Sequence, residues 1–248
     1  MALTKERFEK HHLHEYVDVH VSHVYTPEDF YVQRNDKYDL LGDLEQEMTL
    51  FYDKKDNDYA HSILQGMPVP GSMLACKYRS GPKNEAPTWL RCLALSPAKP
   101  DTISVFMVDY GTTQQVVLND AKYLSKKFMN LPSQAIRARL SGIHPFEGFK
   151  WSSEAIKLLS EKAQTTYRLG GMVARVDGYS LLKCGFKASL RLIDTVTNDI
   201  PDGIVINDTL IDLGLAERDF PVYVNDNRQF DPTEKVLHRS RILPEVVF

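Results

Sequence analysis

At 248 residues, with 43% hydrophobic and 25% charged side chains, the chain has the composition of an ordinary globular protein. That length can bury one large core or two small ones. A formal net charge of -3 leaves no basic excess, so non-specific binding to nucleic acid or to an anionic membrane is not the expectation.

No apolar run approaches a bilayer span, and the N-terminus carries no secretory signal. Residues 1–15 read as a polar lead-in to a domain cut from something longer. From Tyr16 the text alternates, with Val17, Val19 and Val21 on one face and Asp18, His20 and Ser22 on the other. Thr26-Pro27-Glu28-Asp29 supplies turn chemistry before Phe30-Tyr31-Val32, which predicts two strands joined by a short turn. A helix follows over 39–55, where Leu41, Leu44, Met48 and Phe51 form an apolar stripe and Lys54-Lys55 suit its negative C-terminal end. Asp53 to Pro70 reads as a connector.

Between about Gly71 and Asn119 lie four strand candidates, "SMLACKYRS", "TWLRCLALS", "TISVFMVDYG" and "TQQVVLN". Gly81-Pro82, Ser96-Pro97 and Asp109-Tyr110-Gly111 are the predicted turns. Strands this short and this regularly spaced predict a small closed barrel. A second helix is expected over "SSEAIKLLSEKAQ", capped by Ser152 or Ser153. A strand–turn–strand pair is expected around Asp177-Gly178, and a last helix over "NDTLIDLGLAE", capped by Asn207 and ended by Gly214. The flanks of the small barrel are too short to fold separately, so one discontinuous second barrel built from both flanks is the natural solution.

Chemistry-bearing residues outside that frame are few. Cys76, Cys92 and Cys184 are odd in number and form no Cys-x-x-Cys pair, so free buried thiols in a reducing compartment are expected rather than a zinc ribbon. His11, His12, His14, His20 and His23 lack acidic or thiol partners at ligand spacing, so no metal and no cofactor are expected. Arg137, Arg139, Arg175 and Arg191 are not accompanied by the carboxylate set that a metal-dependent phosphodiesterase needs, so no catalytic residues are assigned and an enzyme is not expected.

Several segments carry a resemblance. Val105–Gly111, "VFMVDYG", resembles the Asp-Tyr-Gly-Asn segment of Tudor domains. "ACKY" at 75–78 and "WLRC" at 89–92 resemble that barrel's first two strands. "VYTPEDFYVQ" at 24–33, "LPSQAIRARL" at 131–140 and "INDTLIDLGLA" at 206–216 are similar, in order, to the opening, the post-barrel segment and the last helix of extended Tudor domains of germline proteins. The resemblance covers about Tyr16 to Ala216. It implies an α+β, mainly β fold: a Tudor SH3-like barrel inserted in a split, nuclease-like OB fold with a connecting helix. The implied divisions are 16–69 (first OB-like part and linker helix), 70–120 (Tudor barrel), 121–217 (second OB-like part) and 218–248 (C-terminal extension).

In that family the module binds methylarginine peptides, notably the arginine-rich tails of Piwi-type Argonautes, which would place this chain in cytoplasmic, perinuclear germline granules. A methylated guanidinium is held in an aromatic box, where stacking and cation–π contacts compensate for lost water. Carried onto this chain, the family's four ring positions fall on Tyr78, Leu90, Met107 and Tyr110, and its amide position on Thr112. Only Tyr78 and Tyr110 match. Leu90 stands where the family usually has Tyr, Met107 where it has Phe or Tyr, and Thr112 where it has Asn. Asp109 is grouped with these peptide-site residues, with a turn-stabilising Asx role as its first expectation.

Three readings stay open: a residual box reading methylarginine weakly, a cleft preferring unmethylated arginine, or an inert cage with another working surface. For the second, carboxylates are available in the acidic stretch Asp194, Asp199, Asp202, Asp208, Asp212, Glu217 and Asp219, whose ordinary role is as solvated loop residues. From another class, a scaffold or a single-strand RNA-binding OB-like surface around Arg137 and Arg139 remains.

Overall fold

The valine alternation after Tyr16 is that of a strand with one buried face, and strands dominate the chain. The computed structural model describes residues 14–54, 63, 68–79, 86–99, 101–169, 171–182, 185–196 and 203–219. Two compact units divide it: one runs to Asp36 and resumes at Ala135, and Lys37–Gln134 lies between them in sequence.

In the first unit, β1 (Tyr16–Thr26) and β2 (Asp29–Arg34) form a hairpin in which Thr26 faces Asp29 across Pro27 and Glu28. The partners of this hairpin are remote in sequence. β8 (Ile136–Leu140) lies beside β2, β10 (Met172–Leu182) lies beside β1, and β11 (Gly185–Asp194) joins β10 to β8. Each of these five strands therefore has two neighbours and the ring closes, which leaves none of them as a free edge. The β8–β11 pair is parallel; β12 (Ile204–Val205) extends the sheet from β11. Val19, Val21, Phe30, Val32, Leu140, Leu190 and Leu192 fill the interior. Helix α2 (Ser153–Leu169) adds Ala155, Leu159 and Ala163, and its start is capped by Ser152, whose Oγ accepts the Ala155 N–H at 3.1 Å.

Several expectations are corrected in this unit. Asp177-Gly178 is no turn: β10 runs through it with a bulge between Val176 and Gly178, and the chain reverses between Leu182 and Gly185. Asn207 is not a cap. It lies inside α3 (Ile206–Asp212), 1% exposed, accepting the Leu192 N–H at 3.1 Å and donating to the carbonyls of Ser141 and Leu190 at 2.9 and 3.2 Å. The expected end of this helix holds. Gly214, at φ 67°, ends it: its N–H donates to Ile211 O and that of Leu215 to Leu210 O, the paired bonds of a Schellman motif. Ala216–Arg218 then forms β13 against β9 (Ile143–Pro145).

In the second unit, β3 (Met73–Tyr78), β4 (Thr88–Lys99), β5 (Thr102–Met107), β6 (Thr112–Val117) and β7 (Ala121–Tyr123) form a five-stranded antiparallel barrel in the order β6-β5-β4-β3-β7. The four expected strands are β3 to β6, and β7 completes them beside β3. Ser96-Pro97 is corrected from a turn to part of β4. The register shifts on either side of it are bulges, where a residue with no N–H is tolerated. Gly81-Pro82 lies outside the described residues. Helix α1 (Tyr38–Tyr52) lays Met48 and Tyr52 on Ala75, Trp89 and Phe128, with Leu44 and Phe51 at the margin. Polar bonds fix that packing: Tyr52 Oη donates to Tyr123 O and accepts the Ser125 N–H, while Trp89 Nε1 donates to Asp53 Oδ1 at 2.8 Å. Cys76 and Cys92 are bonded to each other between β3 and β4, which corrects the expectation of free thiols there; Cys184 lies outside the described residues.

Candidate functional site

Strand register brings the predicted cage positions together. Cys76 faces Leu90 and Tyr78 faces Thr88, so Tyr78 and Leu90 are diagonal neighbours on one face of the β3–β4 pair. Cys92, two residues beyond Leu90 and on the same face, faces Met107, and Met107 faces Thr112 across β5 and β6. Tyr110 stands in the turn between those strands, where its N–H and that of Gly111 both donate to Met107 O. The turn closes on Gly111 at φ 79°, a backbone conformation that glycine adopts without strain. Tyr78, Leu90, Met107 and Tyr110 thus share one apolar cluster.

Within it their roles differ. Leu90 is 5% exposed and Met107 1%, so they are floor, whereas Tyr78, Tyr110 and Thr112 are half-buried and reach solvent. Asp109 is 2% exposed. Its two oxygens accept Arg91 Nε at 2.9 Å and Nη2 at 2.7 Å, and Oδ1 also accepts the Gln134 N–H at 3.0 Å. The remaining Arg91 donors go to the carbonyls of Phe128, Leu131 and Pro132. All five N–H groups of the guanidinium are therefore matched, and the ion pair fastens the turn that carries Tyr110 to the segment 128–134.

Glu45, on α1, was not among the predicted residues. Its Oε1 accepts the Tyr110 hydroxyl at 2.6 Å. Burial pushes its carboxyl up to about 7 against the Tyr110 hydrogen bond, which favours the ionised form; Asp109 raises it further and Arg91 lowers it. A sequence signal for it exists. Glu45 follows Leu41 by four and precedes Met48 by three, which places a carboxylate on the buried stripe of α1.

The other candidates are occupied elsewhere. In the acidic stretch, Asp194 accepts Lys162 Nζ at 3.0 Å and the Val196 N–H at 3.1 Å, and Asp208 pairs with Arg218 at 2.8 Å. Asp199 and Asp202 lie outside the described residues, and Asp212, Glu217 and Asp219 are exposed. Arg137 is 6% exposed and held by Asp29 at 2.6 and 2.9 Å; Arg139 reaches Ser189 and Glu28, and Arg175 reaches Asp177. Arginines so committed are poor phosphate ligands. His20 is 9% exposed, and burial lowers its pKa below the ordinary histidine value. Among the described residues no group of three His, Cys, Asp or Glu side chains could hold a metal ion.

A family model described as "Tudor domain" matches residues 11–142, more than half of the chain. Human RING finger protein 17 is 27% identical over 214 residues, which is 86% of this chain but 12% of that protein; the chain therefore spans only a small fraction of this curated relative's length. Among solved structures, the extended Tudor domain from BmPAPI in complex with sDMA is similar at a TM-score of 0.67 and 27% identity, covering 82% of this chain and 98% of that one. A variant of the Drosophila melanogaster Papi extended Tudor domain, in complex with an unmethylated Piwi N-terminal peptide, matches at a TM-score of 0.69 and 22% identity, covering 83% and 100%.

Proposed function

We propose that this chain, which belongs to the Tudor domain family, is a peptide-binding adaptor, not an enzyme, that takes an arginine from the tail of a Piwi-type Argonaute and favours the unmethylated form. The observation that carries this reading is the pair Tyr78 and Tyr110, half-buried and solvent-reaching above the floor of Leu90 and Met107. Two rings with an apolar floor suit the flat face of a guanidinium.

The preference follows from what is missing. Each ring contributes about 0.5–2 kcal/mol to a cation, so the absence of two removes on the order of 1–4 kcal/mol, roughly fivefold to a thousandfold in affinity. That loss falls on a methylated guanidinium, whose recognition depends on the complete box. Thr112 also stands where an amide would orient the ligand. Both ligand states are represented among similar folds, sDMA with the BmPAPI domain and an unmethylated Piwi peptide with the Papi variant. Partnership with a Piwi-type protein would place the chain in the cytoplasm, at germline granules.

The test is calorimetry with two arginine-rich Argonaute-tail peptides, identical except that one is symmetrically dimethylated. Tighter binding of the unmodified peptide is expected, and Tyr110→Ala should weaken it at least tenfold while thermal unfolding stays cooperative. Tighter binding of the dimethylated peptide refutes the preference. Unchanged affinity in a folded Tyr110→Ala protein refutes the site.

A further inference from the structure

Resting on the peptide-binding reading above, we propose that Glu45 is the specificity-determining acceptor of this site: its carboxylate gives up the Tyr110 hydroxyl and takes two adjacent N–H groups of an incoming guanidinium. Glu45 comes from α1, outside the barrel strands, and its Oε1 lies 2.6 Å from the phenolic oxygen of one of the two rings. A cation resting on that ring therefore lies beside a carboxylate, and a planar guanidinium offers paired N–H groups that match two carboxylate oxygens.

The neighbouring charges leave Glu45 available for this role. Asp109, the other acid near the turn, is fully engaged by Arg91 and the Gln134 N–H, so it cannot serve a ligand. Arg91 has each of its donors matched by Asp109 and the 128–132 carbonyls and cannot be recruited to neutralise Glu45. The present partner of Glu45 is a single neutral hydroxyl, whereas a guanidinium brings an opposite charge and two parallel N–H donors, so it outcompetes the hydroxyl. Methylation keeps the guanidinium charge but removes N–H donors, so dimethylarginine loses part of this pairing. The same carboxylate would thus disfavour the modified peptide that an aromatic box alone would welcome.

Protonation follows from the geometry. The groups facing Glu45 are the Tyr110 hydroxyl and Asp109 from the β5–β6 turn and Arg91 from β4; with burial they leave its carboxyl at about 7. Guanidinium needs the ionised form, so binding expels a proton wherever Glu45 is still protonated. Affinity therefore rises with pH, and one such group changes it by about tenfold between pH 6 and 8.

The experiment is calorimetry of the full chain with a histidine-free arginine peptide, unmodified and symmetrically dimethylated, across pH 6 to 8, using the native protein, Glu45→Gln and Tyr110→Phe. The native protein is expected to bind the unmodified peptide about tenfold more tightly at pH 8 than at pH 6. Glu45→Gln should flatten that profile and narrow the gap between the two peptides at pH 8 to what the incomplete box alone contributes. Tyr110→Phe keeps the ring and removes the hydrogen bond that favours ionised Glu45, so the midpoint of the profile should move up. A flat native profile, a slope that survives Glu45→Gln, or an unchanged midpoint in Tyr110→Phe overturns the role of Glu45 while peptide binding itself stands. Failure of the native protein to bind either peptide removes the peptide-binding reading, and this one with it.

Discussion

Arg91 shows how a single side chain sets the geometry of a site that it does not line. Alternation along β4 puts it on the face opposite Leu90 and Cys92, and that much is legible in "WLRC". The strand pattern cannot show that the segment ending at Gln134 covers this face and that Asp109 waits there to receive the guanidinium. The turn-stabilising role expected for Asp109 drew on residue type alone, which does not name the partners its oxygens serve, Arg91 and the Gln134 N–H. Glu45 escaped for a related reason: hydrophobic periodicity records which positions are apolar, so it passes over a carboxylate seated among them. That Tyr78 and Tyr110 meet in one cluster was legible, because motif positions carry over one residue at a time. Breaking the buried Arg91–Asp109 pair strands a carboxylate, at a typical cost of about 3–5 kcal/mol, so Arg91→Met should lower unfolding free energy by that amount in urea. Arg91→Lys should not rescue it, because a point charge cannot replace five directed donors. Adding Asp109→Leu to Arg91→Met should restore much of the loss, since the stranded charge is then gone. A single-variant loss under about 1 kcal/mol would mean that water reaches the pair.

Helices and turns divide by whether local chemistry or distant packing decides them. The stripe of α1 and the end of α3 at Gly214 were readable, because a 3.6-residue repeat and a glycine at positive φ are local requirements. Asn207 and Asp177-Gly178 were misread because asparagine suits a cap as well as a buried bridge, and Asp-Gly suits a turn as well as a bulge. In place, the Asn207 amide ties α3 to β11 and to Ser141, using acceptor and donor alike. The distinction is measurable. An N-cap tolerates aspartate as readily as asparagine. A buried bridge does not, because Asn207→Asp removes the NH₂ donors and buries a charge. Asn207→Asp should therefore cost about 3 kcal/mol or more by chemical denaturation, and a neutral result would return Asn207 to the capping role.

At the scale of the whole chain, regular strand spacing, flanks too short to fold separately and the family resemblance pointed to a small barrel set within the sequence of a second one. The pairing that closes the second barrel was beyond reach, because β1 and β2 find their neighbours β8 and β10 only after the whole of Lys37–Gln134 has passed. Contacts so distant leave no periodic trace, and hydrophobic alternation says which face is buried but not against which strand. The point of exit and return is informative, however. The chain leaves the split barrel after β2 and re-enters at β8, and these strands are antiparallel neighbours in which Val32 faces Ile136 and Phe30 faces Ala138. Lys37–Gln134 therefore occupies the topological place of a hairpin loop. Closure entropy grows only slowly with loop length, about 0.6 kcal/mol per doubling, so a long folded insertion there is tolerable and a short turn should serve as well. Each unit also has its own apolar core, one around Phe30, Leu140 and Leu190 and the other around Leu74, Ile103 and Val105. Two outcomes are expected. Lys37–Gln134 expressed alone should give a dispersed amide spectrum and a cooperative thermal transition. The remainder, with that stretch replaced by a short Asn-Gly turn between β2 and β8, should likewise fold, because such a turn matches the twist of paired strands. If both fragments unfold without cooperativity, the two cores are one thermodynamic unit and the insertion is obligatory. If only the shortened chain fails, the split barrel depends on the inserted unit, and ligand at the tyrosine pair should then stabilise the entire molecule in a single transition.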